Sequence, residues 1–313
     1  MRGRSEVKMF VGVTDHQWFQ RLRALRPDDV NFWRPSGRGF AALEPGDPFL
    51  FKLHAPWNAI VGGGFFVESI RMPVSQAWMA FEERNGVADV DELLTRIDRY
   101  RPGQAGRGPA DPVIGAIVLT QPFFFEDADW LPAPADWSRN IVSGKGYDLA
   151  HGVGREVWQA VLERLAVHGT PDVPELDATR DENRVWVRER LGQGAFRTLV
   201  TEAYQRRCAV TGERTIPVLE AAHIVPYAKR GPNRVDNGLL LRSDLHRLFD
   251  RGLVTIEPEA LTFRVSDRIR EEYSNGRVYY DVADKPLLIL PASAEHRPNR
   301  EFLAFHRSSI FRP

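Results

Sequence analysis

The stretch from Glu220 to Asp250 constrains this chain more than any other. The apolar run Val218-Leu219-Glu220-Ala221-Ala222 ends on His223 and reads as a strand that could aim an imidazole. Pro232 to Gly238 (PNRVDNG) is dense in turn formers, and Leu239-Leu240-Leu241 reads as a second short strand. Ser243 is then a candidate N-cap for a helix running to Asp250. The order is strand, turn, strand, helix. His246 and Asp250 lie one helical turn apart and share a face, which makes a corner for a divalent cation. Taken singly, a histidine on an apolar strand is more often a packing residue, and Asn237-Gly238 is usually only a turn. The order and spacing together carry the information.

The segments AHI-x-P, NGLLL and DLHRLFD resemble the HNH, or ββα-metal, nuclease motif. The resemblance implies that His223 is the general base, that Asn237 braces the loop and orients that base, and that His246 is a metal ligand. Asp250 falls where some members carry a further ligand. Such chemistry needs a base to activate water and a cation to stabilise charge on the phosphate. One Mg²⁺ or Mn²⁺ per site is the implied cofactor. The chain departs from the pattern at Ala222, where many members have Asp or His; Glu220, two residues back on the same side of the strand, is the candidate substitute. A single such site cuts one strand, so a double-strand break implies a homodimer or two binding events.

The remaining sequence sets the context. A length of 313 residues suits two domains, and 43% hydrophobic residues suffice for packed cores. No apolar run is long enough for a membrane span, and the start, MRGRSE, has no apolar signal core after it, so a cytoplasmic protein is expected. The lone Cys208 excludes an intrachain disulfide. Thr211 stands where a CxxC zinc knuckle would have its second cysteine, so no structural zinc is expected. Lys plus Arg and Asp plus Glu both number 42, which argues against a uniformly basic coat. Residues 184–313, however, carry 22 basic against 16 acidic side chains, the sign expected of a surface that meets phosphates.

The front half reads as short strands with two or three helices between them, an α+β arrangement expected to close as a small barrel. Strands are predicted over 9–14, 48–53, 58–67 and 112–120. Helices are predicted from Asp15, Ser75 and Asp89 and over 155–167, with a loop-rich return over 136–147. GVTD, VNFWRP, PGDPFLFKL, IVGGGFF and a Ser-x-x-Trp helix, within residues 8–150, resemble EVE-like members of the PUA/SRA superfamily of nucleotide readers. Such domains hold a flipped, often methylated base in an aromatic cage, which takes π-faces and edge-reading polar groups. Trp33 and Trp57, read as loop residues, with Trp18, Trp137, Tyr147, Asn31 and Asn58, are the pocket candidates. Arg34, Arg38, Arg139 and Lys145 are the phosphate candidates.

Residues 168–183 (HGTPDVPELDATRDEN at their core of prolines and acids) read as an acidic linker between a reader over 1–167 and a nuclease over 184–313. A helix is predicted over 184–204 with a break near Gly192-Gln193-Gly194. The two resemblances together imply a modification-dependent restriction endonuclease acting on double-stranded DNA that contains 5-methyl- or 5-hydroxymethylcytosine. An HNH nuclease aimed at RNA, a junction or another modified base, and a non-catalytic nucleic-acid-binding protein, are the alternatives.

Overall fold

The computed structural model describes residues 8–101, 110–167, 173–174 and 178–313. The start of the chain, and most of residues 168–177 of the expected linker, lie outside these described residues. The chain divides into two compact units, Met1–Ala195 and Phe196–Pro313.

The first unit is built on β1 (Lys8–Thr14), β2 (Asp29–Arg34), β3 (Pro48–Leu53), β4 (Ala59–Pro73), β5 (Val113–Phe124), β6 (Leu131–Pro132) and β7 (Gly144–Asp148). Its helices are α1 (His16–Leu25), α2 (Val74–Phe81), α3 (Val90–Arg99), α4 (Gly152–Val167) and α5 (Arg180–Glu189). The strands run in the order β2-β5-β4-β3-β1-β7, with β6 added beside β4. Only β1 and β3 pair in parallel; the other pairings are antiparallel.

The expected barrel is therefore corrected to an open sheet. The reason lies in β3, where all six residues are buried. Phe49, Phe51 and Leu53 pack to one side with Trp18, Phe19 and Leu22 of α1. Leu50 points to the other, among Met9, Val11, Phe65 and the α4 residues Trp158, Val161 and Leu165. A strand apolar on both faces needs cover on both faces, and helices supply it, whereas a small barrel buries only one. The loop-rich return is also corrected: Gly144–Asp148 is strand β7, antiparallel to β1 with Gly144 opposite Gly12.

Local chemistry sets the helix starts. The Asp15 side chain accepts from Trp18 N at the head of α1, and Asp89 accepts from Glu92 N at the head of α3. Thr179 and Glu182 form a reciprocal capping box on α5. Although the sequence groups α5 with the nuclease half, it packs in the first unit. Trp186 meets Phe65 edge-on at 5.0 Å, and the carbonyl of Arg190 accepts from Thr120 Oγ1. A Cβ at Gly192 would fall 2.4 Å from the Asp29 carboxyl carbon, so the predicted break in the helix is a close approach that only glycine permits. Asp29 is fully buried, and burial raises its pKa while Arg84, 2.8 Å away, opposes the rise.

The second unit begins within α6 (Gln193–Ala203), whose Phe196 and Val200 join Tyr204 in its core. A hairpin of β8 (Leu219–His223) and β9 (Gly238–Arg242) follows, and α7 (Ser243–Asp250) starts directly on the end of β9. A second hairpin, β10 (Val254–Ile256) with β11 (Phe263–Val265), continues the chain. The unit then closes with α8 (Arg268–Tyr273), α9 (Arg277–Tyr280) and α10 (Arg300–Ser309). Cys208 is buried in this core. His306 of α10 is fully buried, stacked on Phe249 at 3.7 Å, with Nδ1 against Thr255 Oγ1 and Nε2 against the Phe249 carbonyl. Burial depresses its pKa to about 4, so it stays neutral.

Candidate active site

The antiparallel register of β8 and β9 places His223 opposite Gly238 and Glu220 opposite Leu241. Three fully buried leucines, Leu239 to Leu241, fix that register from below, because a one-residue slip would turn Leu240 out of its place. The absence of a linker between β9 and α7 then brings His246 and Asp250 up beside β8.

His223 sits at the end of β8 with its ring stacked on Phe196 at 4.0 Å. Its Nε2 lies 2.9 Å from Asn233 Oδ1. An amide oxygen only accepts, so Nε2 carries the proton and Nδ1 keeps the lone pair. Burial lowers the His223 pKa most; the Asn233 bond raises it, the charges of His246 and Arg197 lower it, and Asp250 raises it. His223 is thus held as a neutral imidazole with one basic nitrogen. Its electrostatic coupling to His246 and Asp250 sets these three side chains in one neighbourhood.

Asn233 is the residue that sequence reasoning missed; in the sequence it is one of several turn formers between Pro232 and Gly238. Asn237, expected both to brace the loop and to orient the base, does the first. Its Oδ1 accepts from Val225 N at 2.9 Å, and its Nδ2 donates to the carbonyls of Val225 and Pro232 at 3.2 and 2.9 Å. Its backbone carbonyl accepts from Ile224 N at 2.8 Å. Asn237 clamps both ends of the 225–232 loop, and Asn233 at that loop's far end touches the imidazole.

His246 meets a carboxylate at each ring nitrogen. Nδ1 is 2.6 Å from Glu220 Oε2, and Nε2 is 3.3 Å from Asp250 Oδ2. If Nδ1–H donates to Glu220, the Nε2 lone pair confronts an anionic oxygen. A cation between them would relieve that contact, and 3.3 Å is close to the spacing of neighbouring ligands that each lie about 2.1 Å from one small ion. The residues therefore fit a divalent cation at the His246–Asp250 corner. Glu220, expected to substitute as a ligand for the missing donor at Ala222, has its Oε2 against Nδ1, the other ring nitrogen of His246. It matches instead the carboxylate that fixes the tautomer of a ligating histidine. Ala222 is buried and offers no donor. Among the described residues no group of three or more His, Cys, Asp or Glu that could hold a metal ion is present. Burial raises the Asp250 pKa, opposed chiefly by His246.

The expected base-pocket residues do not form one cage. Trp18 is corrected to the core: its ring is buried, edge-on to Phe32 at 5.5 Å and to Phe51 at 5.0 Å. Trp33 is on β2 opposite Ala116 rather than in a loop, and its Nε1 donates to the Asn85 carbonyl. Asn31 is buried and donates to Asn85 Oδ1, with its own Oδ1 unpartnered. Tyr147 is buried and donates to Asp136 Oδ1, which also puts it outside an open cage. Trp57 is 46% exposed, in the loop the sequence predicts. Of the phosphate candidates, Arg38 and Arg139 are exposed, Arg34 donates to the Gly39 carbonyl, and Lys145 pairs with Asp136 at 2.5 Å.

Comparison with known proteins adds the following. Residues 208–257 match the HNH endonuclease family HNH_2, so this segment of the chain is an HNH endonuclease domain. The match spans both motif strands, the Asn237 clamp and α7. No curated protein matches the chain. Among solved structures, the ASCH protein from Zymomonas mobilis is similar at 12% identity and a TM-score of 0.32, covering 50% of this chain and 94% of that one. A modification-dependent TagI restriction endonuclease is similar at 15% identity and a TM-score of 0.29, covering 85% of this chain and 62% of that one. No helix among the described residues is long and apolar enough to cross a membrane.

Proposed function

We propose that this protein is a metal-dependent DNA endonuclease in which the second unit hydrolyses a phosphodiester and the first unit reads a modified base, 5-methyl- or 5-hydroxymethylcytosine. The observation that carries the hydrolytic half is the pairing of two differently prepared imidazoles. Asn233 leaves His223 Nδ1 as a free base, while Glu220 and Asp250 bracket His246 as the partner of a cation.

The roles follow from these contacts. His223 Nδ1 takes a proton from a water as that water attacks phosphorus and the bond from phosphorus to one sugar oxygen breaks, that oxygen leaving with its electron pair to be protonated by solvent; the charge His223 gains is tolerated because Asn233 and Asp250 both favour the imidazolium. Asn237 keeps the 225–232 loop, and with it Asn233, in place. Glu220 holds the His246 ring by its Nδ1. A divalent cation, Mg²⁺ or Mn²⁺, at the His246–Asp250 corner would supply positive charge against the phosphate oxygens. A single site of this kind cuts one strand, so a homodimer or two binding events would complete a double-strand break.

The test is cleavage of plasmids with and without 5-methyl- or 5-hydroxymethylcytosine, in Mg²⁺ and in Mn²⁺. The proposal expects cutting of the modified plasmid and its loss in His223→Ala. Equal cutting of both plasmids would remove the modified-base reading and leave the nuclease. A second reading, a non-catalytic DNA-binding protein, is favoured by the alanine at 222 alone; binding without nicking in any divalent metal would establish it.

A further inference from the structure

Lys52 is a buried cation of the first unit that no carboxylate meets within ion-pair distance among the described residues. Its side chain is 2% exposed, yet its ammonium donates only to neutral oxygens, the Leu53 carbonyl at 3.0 Å and Asn58 Oδ1 at 3.2 Å. Its remaining face looks onto the Trp137 ring, 5.0 Å from the centroid. Burial without a counter-ion lowers its pKa. A lysine serving only the fold would be paired with a carboxylate or would reach solvent.

The topology says what lies around it. β1 and β3 are the one parallel pair, with Val13 opposite Lys52, so their carboxyl ends open at the same end of the sheet. Three loops meet there. His54 N donates to the Thr14 carbonyl, Val13 N to the Ser143 carbonyl, and Ala133 N to the Asn58 carbonyl. The loops bring aromatic surface with them. Trp57 stacks on His16 at 4.3 Å and 7° while remaining 46% exposed. Trp130, 6.4 Å from His16, has a buried indole N–H with no acceptor. Asp136 pins the Trp137 loop to β7 through Lys145 and Tyr147, which gives those two residues a supporting part.

We infer that the carboxyl end of the β1–β3 pair is the nucleobase site of the first unit: an extruded base stacks on Trp57, and Lys52 with Asn58 reads an acceptor on its polar edge. This rests on the reader proposed above and replaces its scattered residues with one location. Trp57 supplies the sequence-tolerant stacking surface. The Lys52 ammonium supplies a donor to a ring carbonyl in place of the missing anion. Trp33, Asn31 and Trp18 have no part in it.

The test uses the full chain in EDTA and fluorescence anisotropy with duplexes carrying cytosine, 5-methylcytosine or 5-hydroxymethylcytosine at one position. Wild type is expected to prefer a modified duplex. Trp57→Ala, which removes an exposed ring, should weaken modified-duplex binding about 10-fold or more and narrow the gap between modified and unmodified duplexes. Lys52→Met should weaken modified-duplex binding as Trp57→Ala does, and a thermal melt checks that it folds. Trp33→Phe should keep the preference. If wild type discriminates and Trp57→Ala discriminates equally, this location is overturned while the reader stands. If wild type does not discriminate, the reader and this site fall together.

Discussion

Replacing Asn233 should separate the preparation of the base from the rest of the active site. Asn233→Ala removes the 2.9 Å bond to His223 Nε2 and leaves that ring its stacking partner Phe196. A bond of this kind contributes about 0.5–1.5 kcal/mol, which at about 1.4 kcal/mol per tenfold corresponds to roughly 2- to 12-fold in the population of the active tautomer and orientation. The nicking rate at saturating metal should fall by about that factor. The pH profile supplies the sign. The Asn233 bond raises the His223 pKa against the lowering by burial, so its loss must carry the acid limb to lower pH. Asn233→Asp should do the reverse, because a carboxylate stabilises the imidazolium and moves the acid limb upward. The assay is single-turnover nicking of a supercoiled plasmid from pH 5 to 9. Unchanged rate in Asn233→Ala, or acid limbs that move the same way in both variants, would refute the assignment of Nδ1 as the base.

Other outcomes follow from the same contacts. Asn237→Ala leaves Val225 N and two carbonyls without partners, so the second unit should lose about 2–3 kcal/mol in urea titration, with nicking reduced even where the protein is folded. His306 should make that unit acid-sensitive. Its folded pKa of about 4 lies below the unfolded value near 6.5, so the unfolded state binds the extra proton and stability falls as pH drops between these values, on the order of 3 kcal/mol in all. His306→Gln should flatten that slope in pH-dependent melts. Trp18→Ala should cost about 3–5 kcal/mol in the first unit and change affinity for modified and unmodified duplexes alike, since its ring belongs to the core.

How much of this was legible in the sequence differs between the halves. The ββα unit could be read because every element in it is short, local and punctuated. Turn formers separate two strands, and the i, i+4 spacing of His246 and Asp250 survives any detail of packing. Asn233 was not legible because its role depends on how the 225–232 loop curls back, which Asn237 decides from the far strand. The edge of His246 that Glu220 would meet was equally hidden, since register and ring orientation are tertiary facts. In the front half, period and glycine content located most strands, yet closure of the sheet was misjudged. The double-sided burial of Phe49, Leu50 and Phe51 already favours cover on both faces. Lys52 cannot be singled out from the sequence, because only the fold shows that no carboxylate among the described residues comes to meet it.

The most direct test of the two-imidazole site is a metal titration of nicking in wild type, His223→Ala and His246→Ala. His223→Ala is predicted to lower the rate at saturating Mg²⁺ or Mn²⁺ while the metal midpoint stays where it was, and His246→Ala to push that midpoint to higher concentration. Wild-type titration curves from either variant would contradict the account.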